Sequence, residues 1–112
     1  MLRIMRQILY RSIENKEISY KSLNEDIKNK NIILIDVRSR QEYEEGHLEG
    51  SINIPVYDIE RKIEKIVKNK KNIIVVYCSS GYRSKKAKEI LESLSYENVY
   101  NLKDGIDHIW IK

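Results

Sequence analysis

Cys78-Ser79-Ser80-Gly81-Tyr82-Arg83-Ser84 contains the chain's one cysteine, and its residue types can hold an anion. Ser79, Ser80 and Ser84 supply hydroxyl donors, and Gly81 lets the backbone curl tightly. Arg83, pointing back, offers a planar fork that grips an oxyanion at two points. A thiol in such a place becomes a nucleophile as its thiolate. Helix N-termini and nearby cations bring a cysteine pKa from about 8.5 down to roughly 3.5–7.5. The same residues also fit a small buried Cys that merely ends a strand. The loop alone leaves both uses open.

What precedes and follows the loop must position it. Ile73-Ile74-Val75-Val76-Tyr77 is an unbroken apolar run, the pattern of a strand covered on both faces. From Lys85 to Leu94, Ala87, Ile90, Leu91 and Leu94 recur at helical spacing, opposite Lys85, Lys86, Lys88, Glu89 and Glu92. Strand, polar loop and helix N-terminus thus converge on Cys78, where free backbone N–H groups favour negative charge.

The rest of the chain alternates in the same way. Residues 1–14 set Leu2, Met5, Leu9 and Ile13 on one face between arginines, which predicts an extra helix; a presequence or membrane-surface helix is the alternative. Glu17 to Tyr20 predicts a short strand, and Ser22-Leu23-Asn24-Glu25 a capping box opening a helix over 23–28. Ile32 to Ile35 is a second buried strand, with Asp36-Val37-Arg38 at its carboxyl end, where ligands collect in open α/β sheets. Ser39-Arg40-Gln41-Glu42 is a second capping box, and its helix should stop at Gly46. Ser51 to Pro55 alternates like a strand. Ile59, Ile63, Ile66 and Val67 mark an amphipathic helix, and Asn98 to Leu102 a last strand. Asp104-Gly105 turns the chain, and Ile106, Ile109 and Trp110 suggest a closing apolar helical turn. This is an α/β domain with a mainly parallel central sheet of about five strands and helices on both faces.

The 112 residues fit one domain, with residues 1–16 as an N-terminal helical extension and 17–112 as the domain proper. Hydrophobic residues make up 41% and charged residues 34%, an ordinary globular balance. The net charge of +4 is spread among interleaved acids, a solvated surface and not a nucleic-acid patch. No apolar run has the length of a secretory core or a transmembrane helix, so no stable membrane insertion is expected. A single cysteine excludes an internal disulfide, a Cys-rich zinc site and a resolving thiol within the chain; it suits the cytoplasm.

Residues 35–55, Ile-Asp-Val-Arg-Ser-Arg-Gln-Glu-Tyr-Glu-Glu-Gly-His-Leu-Glu-Gly-Ser-Ile-Asn-Ile-Pro, resemble the amino-terminal signature of rhodanese-like domains. The Cys78 loop resembles that family's active-site loop, and Leu102 to Trp110 its closing stretch. In that stretch Asp104 stands where a glycine is usual, as does Ser95 earlier. The resemblance implies a rhodanese-like fold and a single-domain sulfurtransferase. Cys78 would take the outer sulfur of thiosulfate or a similar small donor as a persulfide, then pass it to a small-molecule or protein thiol acceptor, or to cyanide. Backbone N–H groups of Ser79, Ser80, Gly81, Tyr82, Arg83 and Ser84 would cradle that sulfur, with Arg83 on the donor's anionic group. No metal or organic cofactor is implied. Cell-cycle phosphatases and arsenate reductases of related fold carry a longer loop between Cys and Arg. The four residues between Cys78 and Arg83 suit a sulfur atom better than a tetrahedral phosphate. A rhodanese-fold module that only binds a partner is the other reading, and the intact Cys78 and Arg83 argue against it. Asp36 and Arg38 are read as a structural ion pair, Glu42 as a capping residue, His47 as a loop brace and His108 as a surface residue.

Overall fold

A computed structural model describes residues 16–26, 31–107 and 109. The two apolar runs form its centre. Strand β2 (Ile32–Asp36) pairs in parallel with β4 (Ile73–Tyr77), all five of whose residues are buried. Such runs need cover on both faces. Around them lie β1 (Glu17–Ile18), β3 (Ile52–Asn53) and β5 (Asn98–Leu102), giving a five-stranded parallel sheet in the order β1-β5-β4-β2-β3. Four α-helices among the described residues cross between strands: α1 (Tyr20–Asp26), α2 (Arg40–Glu45), α3 (Ile59–Ile66) and α4 (Tyr82–Ser93).

Alternation along the strands divides the core in two. Ile35, Ile74, Val76 and Val99 face one side, where Ile59 and Ile63 of α3 and Ala87 and Leu91 of α4 cover them. Leu34, Ile73, Val75, Tyr77 and Tyr100 face the other, where Leu23 of α1 and Ile106 pack. Cys78 continues the alternation of β4 and falls on the α3–α4 side. Each buried aliphatic side chain contributes about 1.5–3 kcal/mol by leaving water.

Several boundaries differ from the sequence reading. Helix α1 starts at Tyr20, because Ser19 and not Ser22 is its cap: Ser19 Oγ accepts from the Ser22 N–H at 3.2 Å. Ser22 is instead buried. Strand β3 is only two residues long, since its partner β2 ends at Asp36. In α3, Ile59 and Ile63 are buried but Ile66 is 44% exposed; Val67, just past the helix, turns inward in its place. Helix α4 starts at Tyr82 and not at Lys85. Gly81, at φ 102°, turns the chain at once into the helix, and its carbonyl accepts from the Lys85 N–H at 3.2 Å. After Asp104-Gly105 the described residues make one turn, with the Ile109 N–H donating to the Ile106 carbonyl at 3.0 Å, and Ile106 is buried. The helix expected over 1–14, the end of α1, His108 and Trp110 lie outside the described residues. No described helix is long and apolar enough to cross a membrane.

Candidate active site

Because every strand runs the same way, β2, β4 and β5 deliver Asp36, Tyr77 and Leu102 to one edge of the sheet. The Cys78 loop sits there, between the segment after β2 and the turn after β5. The Cys78 side chain is buried, and hydrogen bonds converge on its sulfur. Sγ accepts from the Gly81 N–H at 3.1 Å and the Ser84 N–H at 3.3 Å, and Ser84 Oγ lies 3.4 Å away. Ser84 Oγ also reaches the Gly81 carbonyl at 3.2 Å, which closes the loop on itself. The amides of Ser80, Tyr82 and Arg83 make no hydrogen bond among the described residues. They are the open donors expected at a helix start.

Of the residues singled out in sequence, Gly81 and Ser84 touch the sulfur directly. Ser80 is exposed and Tyr82 is 82% exposed, so their side chains stand outside the loop while their amides head α4. Tyr82, Arg83 and Lys85 border a cleft of about 440 Å³ whose floor includes Val56. Arg83 leans toward Ser79, with Nη2 3.5 Å from Ser79 Oγ.

The main partner of Arg83 is one the sequence reading did not assign. Its two Nη groups donate to Glu42 at 2.7 and 3.0 Å, a bidentate pair across 41 residues of chain. Glu42 also caps its own helix, since its Oε1 accepts from the Ser39 N–H at 2.9 Å and the Ser39 hydroxyl accepts from the Glu42 N–H. The Arg83 hydrogen bonds, aided by Ser39, hold the Glu42 carboxyl at about 2, well below its ordinary value of 4.5. The same bond raises Arg83, so both groups stay ionised across the ordinary pH range.

Two further supports brace the site. Asp36 and Arg38 form the buried ion pair expected, at 2.7 Å, and Arg38 Nη2 also donates to the Gly46 carbonyl. Tyr77, just before Cys78, accepts from the Leu48 N–H at 3.0 Å and lies 3.1 Å from Ser51 Oγ. Burial is the main cause that pushes the Tyr77 phenol well above its ordinary range, so it stays neutral. His47 is a brace: it stacks on Tyr43 with centroids 3.7 Å apart, and its Nδ1 lies 2.7 Å from the Tyr43 carbonyl. On the other flank the closing turn holds the loop by backbone alone. Ile106 donates to the Cys78 carbonyl at 3.1 Å and Asp107 to the Ser79 carbonyl at 3.0 Å. A Cβ on Gly105 would stand 2.2 Å from the Ser79 carbonyl oxygen, so only glycine fits. Asp104 and Ser95, the two departures from the glycine pattern, both adopt positive φ, 65° and 75°. They keep the left-handed turn at some strain.

The rhodanese-like domain family model matches residues 19–112, and the chain belongs to that family. It is 41% identical over 67 residues to the thiosulfate sulfurtransferase PspE of Escherichia coli, covering 60% of this chain and 64% of that protein. It is 38% identical over 93 residues to a tRNA uridine(34) hydroxylase of Buchnera aphidicola, covering 80% of this chain but 30% of the relative. The chain therefore spans under a third of that hydroxylase and under two thirds of PspE. Among solved structures, a rhodanese from E. coli determined with anions superposes with TM-score 0.64 at 37% identity, over 68% of this chain and 89% of that one. The human single-domain sulfurtransferase TSTD1 gives TM-score 0.74 over 87% and 97% of the two chains; at 23% identity it speaks for the fold.

Proposed function

We propose that this protein is a sulfurtransferase that carries a sulfane sulfur on Cys78. The observation behind this is the cradle itself: one sulfur atom faces the Gly81 and Ser84 amides and the Ser84 hydroxyl at the head of α4. Such donors solvate an anionic sulfur better than a neutral one. The name of PspE supports thiosulfate as a donor. The activity in the hydroxylase name belongs to proteins that this chain matches over a minor part of their length.

The chemistry balances without a base. The Cys78 thiolate attacks the outer sulfur of thiosulfate, the donor's S–S bond breaks, and sulfite leaves with the electron pair. Cys78 then holds a persulfide, whose terminal sulfur meets the open amides of Ser80, Tyr82 and Arg83. A thiophilic acceptor, a thiolate or cyanide, attacks that sulfur and regenerates the Cys78 thiolate. With no second cysteine in the chain, the acceptor comes from outside, as a small molecule or another protein's thiol. A lone thiol of this kind works best in a reducing compartment such as the cytoplasm.

Incubation with thiosulfate should add one sulfur to the intact mass, and cyanide should remove it as thiocyanate. Cys78→Ser should abolish both while its circular dichroism and thermal transition stay those of a folded domain. A protein that gains no sulfur, or a Cys78→Ser variant that still transfers it, would contradict the proposal.

A further inference from the structure

The fork of Arg83 would be the natural grip for a dianionic donor, yet both Nη groups already face a carboxylate, at 2.7 and 3.0 Å. That carboxylate does not swing freely, because Glu42 Oε1 is also held by the Ser39 amide at 2.9 Å. The pair is only half-buried, with 36% of the Arg83 side chain and 34% of Glu42 exposed, and Arg83 borders the cleft that Tyr82 and Val56 also line. Arg83 Nη2 also lies 3.5 Å from the hydroxyl of Ser79, the residue next to Cys78. The cation next to the Cys78 loop is therefore already paired with a fixed anion, and a dianion that approaches that cation meets the carboxylate as well.

We infer that Glu42 is a specificity-determining residue: by occupying the Arg83 fork, it biases the site toward sulfur donors of low negative charge. The favoured class is thiosulfonate monoanions or persulfides of uncharged thiols, with the dianion thiosulfate the poorer substrate. This rests on the reading of Cys78 as a sulfur carrier, but the charge at the mouth can be measured without sulfur transfer.

Glu42→Gln removes the charge and keeps a residue that serves at the third position of a capping box. With one cysteine in the chain, alkylation by anionic iodoacetate and by neutral iodoacetamide reports on Cys78 alone. Glu42→Gln should raise the iodoacetate-to-iodoacetamide rate ratio about threefold to fivefold at low salt, the size expected for one charge at close range near a surface. The gain should shrink at roughly 0.5 M salt. Glu44→Gln, which takes the same charge from the exposed partner of Arg40 on the same helix, should leave the ratio unchanged. In turnover, Glu42→Gln should lower KM for thiosulfate more than KM for methanethiosulfonate, with kcat little altered. An unchanged or lower alkylation ratio overturns the inference, as does a higher KM for thiosulfate. Failure of either reagent to modify Cys78 in the folded protein overturns it together with the transferase reading. A raised ratio without any persulfide from either donor would remove the transferase reading while supporting the charge assignment.

Discussion

The Cys78 loop is held on two flanks by unlike means. On the β5 side, Ile106 and Asp107 donate to the Cys78 and Ser79 carbonyls, and Gly105 lies flat against Ser79. On the β2 side, the Glu42 carboxylate meets the Arg83 fork. The first support is backbone on backbone, so it fixes shape and carries no net charge. The second is two half-exposed side chains, so it contributes little to stability but sets the field at the mouth. A loop that must present one sulfur atom needs both, and the fold supplies them from opposite edges of the same strand ends.

The backbone flank is most vulnerable at Gly105. Gly105→Ala places a methyl where the Ser79 carbonyl stands and forces a side chain to adopt φ 68°. The turn and the loop must part, at a cost of about 2–4 kcal/mol in unfolding free energy. Sulfur transfer should fall by roughly 100-fold, because a displacement near 1 Å is that damaging at a reacting centre. Denaturant unfolding and thiocyanate formation measure the two effects. A near-wild-type Gly105→Ala would mean that the backbone flank does not set the loop.

Arg83→Ala tests the other flank and should give the opposite balance. Stability should change by less than about 1 kcal/mol, as for an exposed pair. Thiosulfate use should suffer more, since Glu42 is left without its counter-charge next to the Cys78 loop; KM should rise by roughly tenfold. A large loss of stability with unchanged thiosulfate kinetics would reverse the roles given to the two flanks.

The smallest effect is a pH signature of the ion pair. Glu42 titrates lower in the folded chain, about 2 against an ordinary 4.5. A depressed carboxyl stabilises the fold above its unfolded pKa and loses that contribution as pH falls through the folded one. The stability difference between wild type and Glu42→Gln should therefore be constant above pH 4.5 and vanish as pH falls toward 2. Solvent screening keeps it small. A difference independent of pH over that window would show that the carboxylate is not ionised against Arg83.

Much of this was legible in the order of residues. The apolar runs 32–35 and 73–77 have the pattern of strands covered on both faces, and their alternation with amphipathic segments points to parallel crossovers. Ser39 and Glu42 showed their cap, because a capping box is local. Ser22 and Glu25 showed the same spacing, and there the signal misled: Ser19 lies where the chain leaves β1, and the helix began at that point. Ile66 kept the helical period yet faces solvent, since the cover needed by the sheet was already complete with Ile59, Ile63 and Val67.

At the site, the cysteine, the glycine that curls its loop and the helix that follows could be read from the sequence, because they are neighbours in the chain. It also showed Glu42, but only in its local role as a cap. Tertiary structure alone decided that Glu42 faces Arg83, 41 residues away, and that Gly105 lies under Ser79. Those contacts depend on how β2, β4 and β5 are laid side by side. A side chain's neighbours along the chain are set by covalent geometry, whereas its neighbours across the sheet follow from strand order and register.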